Sequence, residues 1–198
     1  MALAQTQFRF GQNSGNEATH GWIAPQNQNI VYAPDTTFLL RFNIQNLDTE
    51  QASGPPFIVQ LYRSLNAGVK TLVAVGQPVV IPVASVLTED ADCTQRLTGG
   101  TGAFLADNDG QTEAATAGSG TISLGAGACT EVECSLQIVS AGVAHGDTLD
   151  FYIYVNGVQV TATVTPRVVV SLATDTWLSV DSAVAGRADS PWFTASRN

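Results

Sequence analysis

Two histidines and two neighbouring glutamates are, by residue type, the side chains best suited to catalysis. His20 and His145 could each act as an imidazole base, but no Gly-x-Ser-x-Gly or Ser-x-x-Lys motif supplies a nucleophile. Glu131 and Glu133 share one face of a predicted strand and could act as the acid and base of a glycosidase. Because that face lies opposite the strand's apolar residues, we interpret it as solvated, and each histidine as a surface or loop residue. We therefore expect no enzymatic activity and no catalytic residue.

The candidate metal ligands lack the spacing of a metal site. Zinc needs four clustered ligands, whereas Cys129 and Cys134 would face opposite sides of a regular strand and Cys93 is distant. We interpret all three as buried free cysteines, with a Cys93–Cys129 disulfide as the alternative if the protein matures outside the cell. Residues 107–110 (DNDG), followed by Glu113, lack the spacing and flanking helices of a calcium loop, so we interpret them as a turn. We expect no metal and no cofactor.

Composition indicates a folded domain that does not bind nucleic acid. The chain has 198 residues, of which 44% are hydrophobic and 13% charged, the opposite balance to a disordered chain. Its net charge is −9 and Lys70 is its single lysine, so it lacks the clustered cations that neutralise phosphates. It opens without a signal-peptide pattern, and no stretch approaches the roughly 18 apolar residues of a membrane helix. We expect a soluble protein made in a cytoplasm, without nucleic-acid or membrane partners.

A two-residue alternation predicts strands along most of the chain. Residues 38–45 (FLLRFNIQ) place apolar residues on one face and Arg41, Asn43 and Gln45 on the other, which we interpret as a wet face. Residues 149–155 and 158–164 flank an Asn-Gly pair and predict a hairpin. Residues 88–128 are rich in Gly, Thr, Ala and Ser and predict long surface loops. The predicted fold class is all-β, an antiparallel β-sandwich or jelly roll with long Gly/Thr-rich loops and a C-terminal arm.

The end of the chain departs from this alternation. Residues 173–198 contain Trp177, Trp192 and Phe193 among Ala, Ser and Asp. We therefore divide the chain into a β-sandwich domain, residues 1–172, and an extended C-terminal arm, residues 173–198. Large aromatic side chains on an extended segment are typical anchors for a partner surface, so we predict that these three residues contact a partner. In the alternative interpretation the arm folds back on its own sandwich.

Several segments resemble a poorly characterised β-rich family of structural proteins from tailed bacteriophages. The segments are residues 38–42 (FLLRF), 87–97 (LTEDADCTQRL) leading into 100–104 (GTGAF), 131–139 (EVECSLQIV) and 146–149 (GDTL). The resemblance covers residues 5–165 and leaves out the arm. It implies a component of the virion surface or a capsid decoration protein, and it brings no catalytic residues.

Together, the residues and the resemblance predict a non-enzymatic virion protein that decorates or cements the capsid. Its expected partners are the major capsid protein and copies of itself, and its expected location is the virion. The alternative is a tail or fibre component, or a carbohydrate-binding module, that recognises the host surface. Tyr152 and Tyr154 share a strand face and are the candidate residues for that role.

Overall fold

The computed structural model describes residues 2–49, 54–113 and 118–172. Within these ranges the chain forms twelve strands in two six-stranded sheets that pack as a β-sandwich, which confirms the all-β prediction. The strands are β1 (Leu3–Gln12), β2 (Ile30–Tyr32), β3 (Thr37–Asn46), β4 (Val59–Leu65), β5 (Thr71–Leu72), β6 (Val80–Pro82), β7 (Gln111–Thr112), β8 (Cys129–Ile138), β9 (Thr148–Val155), β10 (Val158–Gln159), β11 (Thr161–Ala162) and β12 (Arg167–Val170). Helical structure in these ranges is a 3-10 turn at Ser140–Gly142, and no helix there is long and apolar enough to cross a membrane.

The sandwich is mixed rather than wholly antiparallel. The first sheet has the order β11-β1-β3-β8-β6, with β7 also paired to β8. The second sheet has the order β2-β12-β9-β4-β5, with β10 also paired to β9. The pairs β1/β11, β2/β12 and β7/β8 are parallel and the others are antiparallel. Each parallel pair adds a strand of only two or three residues to a longer one, so the long strands keep the predicted antiparallel arrangement.

Phenylalanine side chains fill the core between the two sheets. Phe10 of β1, Phe38 of β3 and Phe151 of β9 are wholly buried. The ring centroid of Phe38 lies 6.0 Å from that of Phe10 and 6.2 Å from that of Phe151, in tilted and edge-on arrangements. Because Phe151 belongs to the second sheet, these aromatic contacts join the two layers.

The predicted Asn-Gly hairpin is present, but its second strand is interrupted. Asn156 and Gly157 have φ values of 50° and 76°, the positive values that a type I′ turn requires. β10 pairs with β9 over only two residues, and after Val160 the chain pairs with β1 of the first sheet as β11. Val160 is buried between the sheets. The predicted continuous strand over residues 158–164 is therefore wrong, because the chain passes from one sheet to the other at this residue.

The outer face of the first sheet is covered by the chain's own loops. Arg41 and Asn43 of β3 are 0% exposed, so the predicted wet face is wrong for both. Residues 13–27 fold back beside β1, where Trp22 forms an isolated β-bridge with Gly11. Residues 91–112 lie over β8 and end in β7, which pairs with β8. The predicted surface loops of residues 88–128 are thus partly a cover, because the Glu131 carboxylate of β8 accepts hydrogen bonds from the backbone of residues 96 and 97.

Candidate functional site

A cluster of charged side chains is buried beneath this cover. We call it the ion cluster; it consists of Glu17, His20, Arg41, Glu131 and Glu133. Arg41 is at the centre: Nη1 lies 2.8 Å from Glu131 Oε2, and Nη2 lies 2.7 Å from Glu133 Oε2 and also contacts Glu17 Oε1. The side chains of Arg41, Glu131 and Glu133 are 0% exposed. Charges this deep in a protein are tolerated only when they are paired and hydrogen-bonded.

Strand register brings the centre of the ion cluster together. In the antiparallel pairing of β3 with β8, Arg41 stands opposite Glu133, and Asn43 stands opposite Glu131. Alternate residues of a strand share a face, so these four side chains all point to the outer side of the sheet. The planar guanidinium can therefore bond both carboxylates at once. The loop of residues 13–20 then brings Glu17 and His20 into contact with Arg41 and Glu133.

The backbone of residues 94–97 completes the hydrogen bonds of the cluster. The amides of Leu97 and Arg96 donate to the Glu131 carboxylate at 2.8 and 3.0 Å. The Thr94 amide donates to Glu17 at 2.9 Å, and the Thr94 carbonyl accepts from Arg41 Nη1 at 2.8 Å. The ion cluster therefore fastens this loop to the sheet through both side chains and backbone.

His20 lies between the backbone of Gly21 and the carboxylate of Glu133. Nδ1 is 3.0 Å from the Gly21 carbonyl oxygen, and Nε2 is 2.9 Å from Glu133 Oε1. The side chains of His20 and Glu133 are both 0% exposed, so this contact encloses the ion cluster on the side of residues 13–20.

Trp22 closes the rim of the ion cluster between two arginines. The guanidinium carbons of Arg96 and Arg9 lie 4.4 and 4.6 Å from the centre of the indole ring. Arg96 also donates to the backbone carbonyls of Glu17 and His20 at 2.6 and 2.7 Å. These contacts hold the turn that carries Glu17 and His20 against residues 94–97.

The two glutamates of β8 have pKa values displaced in opposite directions. Burial raises the pKa of Glu131 above its usual value, in spite of the hydrogen bonds it accepts. Burial alone would also raise the pKa of Glu133, but His20 and Arg41 hold it below the usual value. Such a divergence is typical of catalytic acid–base pairs. Here, however, both side chains are 0% exposed, and they are enclosed by protein groups. Among the described residues, these carboxylates contact Arg41, His20 and the backbone amides of residues 96 and 97, so the arrangement fastens the loops to the sheet.

Two of the sequence interpretations are wrong at this site. Glu131 and Glu133 are buried rather than solvated, because Arg41 and the amides of the cover supply partners that strand alternation cannot reveal. His20 lies in a loop, one of the two positions expected for it, but it is buried rather than on the surface. His145 is exposed in its loop, as predicted.

The three cysteines are free and buried, as interpreted from the sequence, and Cys93 and Cys129 form no disulfide. Burial raises the pKa of Cys134 to about 12 and also raises the pKa of the other two thiols. The thiols are therefore protonated and inaccessible at neutral pH, which makes them poor ligands and poor nucleophiles.

Residues 107–110 form an irregular loop around a buried asparagine. Asn108 is 1% exposed, and its side-chain oxygen accepts the amides of Cys93 at 2.8 Å and Gly110 at 3.0 Å. One carboxylate oxygen from each of Asp92, Asp107 and Asp109 lies within 4.8 Å of the others. Asp92 accepts the backbone amides of Asn108 and Asp109 at 2.7 and 3.1 Å, so its hydrogen bonds to this loop account for its position.

A second surface of interest lies on the outer face of the second sheet. We call it the tyrosine face; it consists of Tyr62 of β4 and Tyr152 and Tyr154 of β9, all half-buried. The rings of Tyr62 and Tyr154 are 4.1 Å apart, and Tyr62 stands opposite Tyr152 in the strand register. The sequence analysis placed Tyr152 and Tyr154 on one strand face but did not include Tyr62 in the candidate site. The alternation of residues 57–63 does place Tyr62 on the same strand face as Gln60, opposite the apolar residues of that strand.

The predicted partner contacts Trp177, Trp192 and Phe193 lie outside the described residues, as does the rest of the segment 173–198. Their role in binding a partner therefore stays a prediction.

Comparisons with known proteins find no match. No family model matches the sequence, no curated protein matches it, and no solved structure matches the fold. The resemblance to tailed-phage structural proteins therefore stays a prediction as well, and the function has to be argued from the molecule.

Proposed function

We propose that this chain is a non-enzymatic structural protein of a tailed-phage virion, which decorates or cements the capsid. Its partners are the major capsid protein and copies of itself. The ion cluster is the observation that supports this proposal most. The residues best suited to acid–base chemistry, Glu131, Glu133 and His20, are enclosed and paired, and they fasten loops to a sheet instead of facing a substrate.

A virion subunit has to be a stably folded domain that binds its neighbours through exposed surface. The first sheet is covered by its own chain, so the edges and the outer face of the second sheet are more available for contacts. Val31, on edge strand β2, is 67% exposed, and Val75, just after edge strand β5, is 65% exposed. Apolar side chains at open sheet edges favour contacts between subunits. Residues 173–198 supply three further large aromatic side chains.

The test combines the full chain with capsids that lack it, followed by size-exclusion chromatography with light scattering. We expect the wild-type protein to be oligomeric and to elute with the capsids. A chain truncated after residue 172 should remain folded by circular dichroism and no longer elute with them. A full-length variant with Trp177→Ala, Trp192→Ala and Phe193→Ala is the matched control for chain length, and it should behave like the truncated chain.

Wild-type protein that stays monomeric and ignores capsids would overturn the proposal and favour the alternative, a tail or fibre component that recognises the host surface. Capsid binding that is unchanged in both variants would show that the C-terminal aromatic residues are not the contacts. A hydrolytic activity lost on Glu133→Gln, with the fold intact, would show that the protein is an enzyme.

A further inference from the structure

The side chains of the tyrosine face are held by contacts with one another and with Lys70. Lys70 lies across it, with its ammonium nitrogen 4.3 Å from the centre of the Tyr152 ring, and donates to the side-chain oxygen of Gln159. Tyr62 and Tyr154 stack on each other with an angle of 31° between their rings. Side chains held in this way lose little conformational freedom when a ligand binds.

A groove of about 550 Å³ adjoins the tyrosine face. Its lining includes Ile58, just before β4, Gln60 of β4 and Leu72 of β5. In the strand register Gln60 stands opposite Tyr154, and Leu72 stands opposite Tyr62. Alternate residues share a face, so Gln60 and Leu72 belong to the same sheet face as the tyrosines. The stacked rings of Tyr62 and Tyr154 are therefore immediate neighbours of two residues that line the groove.

The polar groups at the groove select the charge of a ligand. Glu89 and Asp90 contribute to the lining, and the whole chain has a net charge of −9. The ammonium group of Lys70 lies over Tyr152, outside the groove lining, and is hydrogen-bonded to Gln159. Two carboxylates at the site disfavour phosphates, sulfates and sugar acids, because like charges repel. The carboxylates and the Gln60 amide can instead accept and donate hydrogen bonds with hydroxyl groups.

These features match the chemistry of a neutral sugar. A pyranose ring has an apolar face of C–H groups that packs on an aromatic ring, while hydroxyl groups around its edge seek amides and carboxylates. The groove volume also falls in the usual range for small-molecule sites, roughly 300–1,000 Å³. We propose that the tyrosine face and the adjoining groove bind a neutral oligosaccharide, with Tyr62 and Tyr154 as the stacking wall and Gln60 as a hydrogen-bonding group. This role adds to capsid decoration and is independent of it.

The test begins with the full-length protein on an array of neutral oligosaccharides of hexose and N-acetylhexosamine, with sialylated and uronic-acid glycans beside them. We expect retention on neutral glycans alone. Calorimetric titration with a retained oligosaccharide then compares variants. Tyr154→Ala and Tyr62→Ala should each weaken binding roughly tenfold, because an aromatic wall is removed. Tyr154→Phe keeps the ring and is the matched control, with affinity within about twofold of wild type.

Circular dichroism and capsid binding separate this proposal from the previous one. All three tyrosine variants should remain folded and elute with capsids as wild type does. The sugar proposal is overturned by an array without bound neutral glycans, by preference for acidic glycans, or by Tyr154→Ala and Tyr62→Ala binding as tightly as wild type. It is also overturned if light scattering shows that Tyr154→Ala dissociates an oligomer, because a second copy of the chain would then cover this face.

Discussion

Replacing Arg41 with methionine tests the ion cluster as a structural fastening. Methionine keeps an unbranched apolar stem and removes the guanidinium. That group reaches Glu131 and Glu133 at 2.8 and 2.7 Å and donates to the Thr94 carbonyl at 2.8 Å. The variant leaves the carboxylates of Glu17, Glu131 and Glu133 buried without their central cation.

The structure indicates a large loss of stability in Arg41→Met. Removing one partner of a buried charge pair costs about 3–5 kcal/mol, because the other charge stays buried and unpaired. Arg41 serves several carboxylates, so we expect the upper part of this range, about 4–5 kcal/mol. In a domain of this size 1 kcal/mol lowers the Tm by about 2–4 °C, so the Tm should fall by about 8–20 °C.

The loss should depend on pH, and urea unfolding at several pH values measures it. In the wild type, His20 and Arg41 hold the pKa of Glu133 below 4.5 against the effect of burial. The stability contributed by this ionised group is present above pH 4.5 and is lost as pH falls through the folded pKa. Without Arg41, burial favours the protonated carboxyls, and stability is instead lost as pH rises. The two proteins should therefore differ most at neutral pH and converge toward pH 4.5.

Arg9→Met is the matched control. Arg9 stands opposite Arg41 in the pairing of β1 with β3, but it contacts the Ala24 carbonyl and the Trp22 ring rather than carboxylates. Its loss should cost about 1 kcal/mol at every pH. Equal losses in the two variants, or an Arg41→Met deficit that stays constant on acidification, would refute the fastening role.

Four further outcomes follow from local geometry and burial. Gly11→Ala places a Cβ 2.6 Å from Cε1 of His20, so urea unfolding should show a loss of about 1–3 kcal/mol; an unchanged midpoint would mean that the ring moves freely. Gly157→Ala forces a φ of 76° on alanine and should cost about 1 kcal/mol in thermal unfolding, whereas Gly157→Asn should cost less. A thiol reagent should label none of the three cysteines until the protein unfolds, and rapid labelling of native protein would contradict their burial. Because burial raises the pKa of Cys134 from 9.0 to about 12, the stability present below pH 9.0 should be lost above it, by about 1.4 kcal/mol per pH unit.

Local patterns in the sequence were enough to predict the long strands β3, β8 and β9, whereas β1, Leu3–Gln12, was not predicted. The alternation over residues 38–45 corresponds to β3, Thr37–Asn46, because the core accepts every second side chain and this requirement is visible locally. The Asn-Gly turn is similarly local, since two adjacent residues determine its backbone. The passage of the chain between sheets at Val160 depends on the position of β1, about 150 residues earlier, and no local pattern shows it.

The candidate sites were harder to predict because their partners are distant in sequence. Arg41 is 90 and 92 positions from the two glutamates of β8. Alternation within each strand does not show that they meet, so it predicted solvent exposure for Arg41 and for both glutamates. One signal was available: Arg41 and Asn43 have the same two-residue spacing as Glu131 and Glu133, as expected of polar positions that pair across two strands. Tyr62 was missed for a similar reason, since its proximity to Tyr154 requires the pairing of β4 with β9.

The separation of Arg41 from its partners also has a consequence for synthesis on the ribosome. Glu17 precedes Arg41 by 24 positions, whereas Glu131 and Glu133 follow it by 90 and 92. At roughly 5–20 residues per second, the strand bearing Arg41 waits about 5–18 s for these glutamates to be translated. β11, which pairs with β1, emerges later still. The nascent chain therefore completes its first sheet only after residue 162 has been translated, so the two sheets cannot pack fully before then.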